Sequence, residues 1–217
     1  MPFDLPTVTR NLLIANVAVY LLQQVMGETL LMHFALWPWG ADQLAQTSAG
    51  AVVAVGFRPW QLVSYAFMHG GLLHLFSNML ALYMFGGQIE RVFGPRNFTV
   101  YYFVCLVMAA LAQLAVVKWF TGGFYPTLGA SGAVFGILLA FGMLFPHERI
   151  MLLIPPIPMP AWLFVTLYGL YELVLGVTGT QSGIAHFAHL GGMLGGFILI
   201  QYWRGKLPIK PRRQLWR

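Results

Sequence analysis

Charge is what this sequence has least of. Only 8% of its 217 residues are Asp, Glu, Lys or Arg, where soluble domains carry about 25%. With 59% apolar residues and a mean hydropathy of +0.72, the chain cannot cover a water-facing surface. A soluble globular fold is excluded, and an integral membrane protein with several spans is implied. The single cysteine, Cys105, lies within an apolar run, which excludes an intrachain disulfide and a thiolate metal site. The only aspartates are Asp4 and Asp42, both outside the apolar runs, so chemistry that needs two membrane-embedded aspartates is excluded. His147-Glu148 is followed by Met151 where a His-Glu-x-x-His zinc motif requires histidine. No small-residue cleavage site follows the first apolar run, so that run reads as a retained span.

What charge there is has a pattern. The net charge is +6, and five of the twelve basic residues, Lys206, Lys210, Arg212, Arg213 and Arg217, crowd into the last twelve positions. A basic tail can bind nucleic acid, but directly after an apolar run it reads as a cytoplasmic flank against anionic lipid. Six spans are read from the apolar runs, at roughly 11–26, 72–89, 97–120, 128–145, 161–177 and 184–203. Residues 60–68 lead into the second. With both termini cytoplasmic, ten of the twelve Lys and Arg fall inside and only Arg58 and Lys118 outside, as the positive-inside rule requires. The outer stretch 27–59 is long for a connection and greasy, with Trp37, Pro38 and Trp39 together. It is expected to lie in the membrane interface. The inner run PPIPMP, Pro155 to Pro160, is expected to break the chain between spans.

Strongly polar residues inside spans are costly and call for an explanation. Span two opens with His74 and Asn78, spaced i and i+4 on one face. Span four opens with Gly129-Ala130-Ser131-Gly132. Span six opens with AHFAHLGGMLGG, setting His186 and His189 on one face and Gly192 and Gly196 below His189. These three spans all run from outside to inside, so their N-terminal ends share one level. At about 1.5 Å per residue, Ser131 and His189 then lie within roughly 10 Å of their helix starts. Gly132 and Gly136 on span four, and Gly191, Gly192, Gly195 and Gly196 on span six, suit a close helix approach.

Alone, Gly-Ala-Ser-Gly is a packing motif. Together, the four polar groups suffice for acyl transfer. Ser131 would be the nucleophile and His189 its general base, with His74 and Asn78 as donors to a developing oxyanion. The spacing places no carboxylate on His189, so a dyad is expected rather than a triad. Glu172, toward the outer end of span five, reads as a structural hydrogen bond. His33 and His69 read as interfacial, and His147 and Glu148 as solvated.

On these motifs the chain resembles the rhomboid family of intramembrane serine proteases. FMHGGLLHLFSNMLALYMFGGQIERVFG, from Phe67 to Gly94, is similar to the family's second-helix region with its His-x-x-x-Asn pair. GASG resembles the nucleophile motif, and AHLGGMLGG, from Ala188 to Gly196, resembles the helix of the catalytic histidine. The resemblance makes Ser131 the nucleophile and His189 its partner, preferred to His186 by the register of Gly192 and Gly196. It makes His74 and Asn78 oxyanion-hole residues and Phe135 the aromatic beneath the histidine ring. Gly129 and Gly132 belong to the nucleophile motif.

The resemblance further implies an all-α, six-helix polytopic bundle, a single domain over 1–217 that ends in a basic cytoplasmic tail at 204–217. It implies cleavage of single-span membrane proteins within or near the outer part of their transmembrane segment. The partners implied are such substrates and the lipid bilayer, with no nucleic acid, no metal and no organic cofactor. The location implied is a bacterial inner membrane, with the site opening to the outer side. Neither a large soluble N-terminal domain nor a seventh span is seen, which matches the minimal six-helix form. The Trp-Arg pair of some members' first loop is absent from WPWG. The rival readings are an inactive rhomboid-like protein that binds membrane clients, and a transporter built on the histidines and Glu172.

Overall fold

A computed structural model describes residues 5–151, 156–179 and 185–211. The chain enters through α1 (Thr7–Phe34), which kinks at Met26. A hairpin of β1 (Gln43–Gln46) and β2 (Val52–Val55) follows, then the short α2 (Gln61–Ser64) and a 3₁₀ turn at Tyr65–Phe67. The second column runs Leu72–Phe93. It comprises α3 (Leu72–Ala81), a π segment at Leu82–Gly86 and α4 (Gly87–Phe93). The third is α5 (Pro95–Val116), extended to Thr121 by a π turn. The fourth is α6 (Ser131–Leu144). After the small pair β3 (Arg149–Met151) and β4 (Pro158–Pro160) come α7 (Ala161–Thr178) and α8 (His186–Trp203).

Helices therefore lie where the six apolar runs predict them. Leu72–Phe93, Pro95–Thr121 and Ala161–Thr178 are long and apolar enough to cross a membrane. The shorter apolar α6 has 14 residues, about 21 Å of helix against a hydrocarbon core of about 30 Å. Ten of those residues are buried, so α6 is enclosed by its neighbours. On α7, by contrast, only Ala161, Val165 and Glu172 are buried.

The fold is mostly helical, with two small β pairs punctuating the helices. The first outer stretch is also more ordered than a greasy loop. Its start prolongs α1 to Phe34, and its middle forms the β1–β2 hairpin. Trp37 is buried, stacks on Phe124 at 5.1 Å and donates its indole N–H to the carbonyls of Leu31 and Met32. Wholly buried Gln61 ties this region together. Its carbonyl accepts from the backbone N–H groups of Trp37 and Arg58, and its amide donates to the carbonyls of His33 and Gly56. Residues 61–67 form a separate short helical element, set off from α3 by residues 68–71. The tail residues Arg212, Arg213 and Arg217, and Pro155 of the inner breaker, lie outside the described residues.

A buried carboxylate fastens α1 to α4. Glu90, on α4, accepts from the Val8 N–H at 2.9 Å, the Thr9 N–H at 2.7 Å and the Thr9 hydroxyl at 2.8 Å. Helix N-termini leave such N–H groups without intrahelical partners and favour negative charge. The anion and the helix start thus satisfy each other across more than eighty residues of sequence.

Candidate active site

The site forms where α3, α6, α7 and α8 converge. The predicted fourth span begins three residues late, because Gly129 has φ +118, a conformation that no helix continues and L side chains rarely adopt. Its N–H donates to the Tyr65 carbonyl, and α6 starts at Ser131 itself. Among the described residues no side chain caps that start, so its first N–H groups are left without intrahelical partners. A Cβ on Gly129 would lie 2.7 Å from His74 Nε2 and 3.8 Å from Ser131 Oγ. Glycine is what leaves room there for both.

Close packing of α6 on α8 brings serine and histidine together. A Cβ on Gly192 would strike the carbonyl of Gly132, and one on Gly136 would lie 3.1 Å from the Gly192 carbonyl. Gly196 has another neighbour: its missing side chain makes room for the hydroxyl of Tyr101 on α5, which donates to the Gly136 carbonyl at 2.7 Å. Gly191 and Gly195 face α5 as well. The glycine ladder of α8 thus serves two contacts, where a single helix pair was expected.

Ser131 Oγ and His189 Nε2 are 2.8 Å apart. Phe135, one turn along α6, stacks on the His189 ring at 4.2 Å and 7°, where an aromatic was expected. Behind the ring, His189 Nδ1 lies 2.8 Å from Glu172 Oε2, and His186 Nδ1 lies 2.7 Å from the same oxygen. The expectation that no carboxylate reaches His189 is thereby overturned. Glu172 stands out in the sequence as a polar residue in span five, but its partners depend on how α7 is rotated against α8. An almost wholly apolar helix gives no periodic signal for that rotation.

A carboxylate only accepts, so both Nδ1 atoms carry protons. His189 Nε2 is left as the acceptor of the Ser131 hydroxyl, the tautomer a general base needs. His74 is oriented the other way: its Nδ1 accepts from the Gly70 N–H at 3.3 Å, which puts its proton on Nε2, facing the space over Gly129. Asn78 is buried on the same helix and spends one amide proton on the His74 carbonyl at 2.8 Å.

His69 is 3% exposed rather than interfacial, and neither ring nitrogen has a hydrogen-bond partner among the described residues. Its ring meets that of His74 edge-on at 5.1 Å. Burial, with His74 adding to it, pushes its pKa down to about 4. His33 is exposed, and so are His147 and Glu148, in line with the sequence reading.

Glu172, His186 and His189 also offer three ligand atoms within 4.8 Å of one another. A cation there would have to displace the Nδ1 protons that now bind the carboxylate. It would also take away the group that orients His189.

A Rhomboid domain profile matches residues 56–205. The chain belongs to the rhomboid family. It is similar to "Rhomboid protein 1, mitochondrial" of Saccharomyces cerevisiae, at 34% identity over 161 residues, which are 70% of this chain and 44% of that protein. It is also similar to the proteins named Rhomboid protease GlpG of Yersinia pestis and Yersinia pseudotuberculosis, at 27% identity over 196 residues, 90% of this chain and 62% of each relative. The chain thus spans about half to three-fifths of the length of the curated relatives it matches. Family and apolar helices together make it an integral membrane protein.

Proposed function

We propose that this chain is an intramembrane serine endopeptidase that cuts single-span membrane proteins within or near the outer part of their transmembrane segment. The observation that carries this reading is the 2.8 Å hydrogen bond from the Ser131 hydroxyl to His189 Nε2, made between two helices and oriented by the correct tautomer. As Ser131 Oγ attacks the scissile carbonyl carbon, its proton passes to Nε2. The carbonyl oxygen becomes an oxyanion, met by the His74 Nε2–H, the Asn78 amide and the uncapped N–H groups at the start of α6. The C–N bond then breaks and the leaving nitrogen takes the proton from Nε2. Water, deprotonated by His189 Nε2, then attacks the acyl carbon, the bond to Ser131 Oγ breaks, and Oγ takes the proton back from Nε2. A helical substrate hides its peptide bonds in its own hydrogen bonds, so the cut segment must unwind first.

The decisive experiment is cleavage of a model single-span substrate by purified protein, with fluorophosphonate labelling of the serine in parallel. Ser131→Ala is expected to abolish both signals, and His189→Ala to abolish turnover and leave only slow residual labelling. Turnover retained in either variant overturns the assignment. His74→Ala removes an oxyanion donor and is expected to lower kcat about 10²-fold.

A further inference from the structure

We propose that Glu172 is a positioning residue for His189, and that His186 holds its carboxylate in place. The reacting pair thereby becomes the end of a Ser131–His189–Glu172–His186 chain. This inference rests on the reading of Ser131 and His189 as the hydrolytic pair. Glu172 is the one carboxylate on α7, and it turns inward from a helix whose neighbouring residues Leu170, Tyr171, Leu173 and Val174 are exposed. A buried carboxylate costs several kcal/mol unless it is matched by donors. Here it is 3% exposed, and one oxygen receives two imidazole N–H groups.

A clasp between α7 and α8 would explain one such bond at any depth on the interface. It does not explain why the same oxygen is shared with the ring whose other nitrogen meets Ser131. The α7–α8 contact also has its own close-packing sites: Cβ atoms on Gly169 and Gly176 would lie 3.2 Å from Met193 and 3.1 Å from Phe187.

Two consequences follow for the reacting pair. Holding Nδ1–H excludes the tautomer in which Nε2 would carry the proton and could not accept another. When Nε2 takes the Ser131 proton, the imidazolium forms beside an anion already in place, in surroundings where water cannot screen the interaction. Phe135 fixes the plane of the ring, so Glu172 has only its tautomer and charge left to set. His186 gives the carboxylate a second donor. Among the described residues its own Nε2 is buried without a hydrogen-bond partner.

The test is the rate of fluorophosphonate labelling of the full-length protein in detergent, with kcat and KM on a single-span substrate. Glu172→Gln keeps the volume and a carbonyl acceptor but removes the charge. Its labelling rate and kcat are expected to fall at least about tenfold, with KM within about twofold of wild type. In a His189→Ala background the same substitution should change residual labelling less than about twofold, because Glu172 acts only through the missing ring. If Glu172→Gln yields no folded protein, Glu172→Asp keeps the charge on a shorter arm and is expected to label several-fold more slowly.

A wild-type rate in the Glu172 variant overturns the proposal and leaves the Ser131–His189 pair standing. An equal fall in both backgrounds makes Glu172 a clasp and overturns it too. Wild-type labelling that survives Ser131→Ala overturns the hydrolase reading itself.

Discussion

At the scale of single residues, the site depends on what surrounds each imidazole. His189 is flanked by an acceptor, a donor and an aromatic face, whereas His69, 5.1 Å from the His74 ring, is buried with no hydrogen-bond partner for its ring nitrogens among the described residues. Burial and the neighbouring His74 lower the pKa of His69 from 6.5 to about 4. The folded state therefore binds fewer protons than the unfolded state across that window. The stability His69 contributes is complete above about 6.5 and is lost as pH falls toward 4. We expect the melting temperature in detergent to fall as pH drops below 6.5, before carboxylates titrate, and His69→Phe to flatten this part of the curve. Identical slopes in the two proteins would show that His69 does not stay neutral in the fold. The sequence displayed all six histidines, but one-dimensional spacing does not separate a buried His69 from an interfacial one.

At the scale of elements, α6 and α8 form the contact on which everything else depends. The register of Ser131 against His189 is set one residue further on, where Gly192 lies against the Gly132 carbonyl. Gly192→Val would force the two backbones apart, and overpacking of this kind costs about 1–3 kcal/mol. We expect a lower melting temperature and a disproportionate loss of serine labelling, since the 2.8 Å bond has no slack to absorb the shift. The control is Gly27→Ala on α1, where a Cβ meets nothing within 4 Å. It should label like wild type. Equal behaviour of the two variants would refute the packing account. These helices were legible because apolar runs and glycine spacing mark them. The β1–β2 hairpin was not, because its VVAV strand in a greasy stretch carries no signal that separates it from interfacial loop.

At the scale of the whole molecule, the basic residues predict that both termini face the cytoplasm and that the site opens outward. Cys105 is buried and should be silent to reagents, so single cysteines can report sidedness. In inverted and right-side-out vesicles, an impermeant maleimide should reach Gln46→Cys, on β1, only from the outer side. It should reach Lys210→Cys only from the cytoplasmic side. The opposite pattern would reverse the orientation and put the site at the inner surface. By itself the sequence determined the membrane class, marked out the apolar runs along which the helices lie and singled out Ser131, His189, His74 and Asn78 as candidates. Hydropathy, period and short motifs are local properties, and each can be read along the chain. Only the tertiary structure decided that Glu172 stands behind His189, that His69 is buried and that α8's glycines serve two neighbours. Those facts depend on how helices are rotated against one another. For α7 and α8, apolar on nearly every side, packing fixes that rotation and periodicity does not.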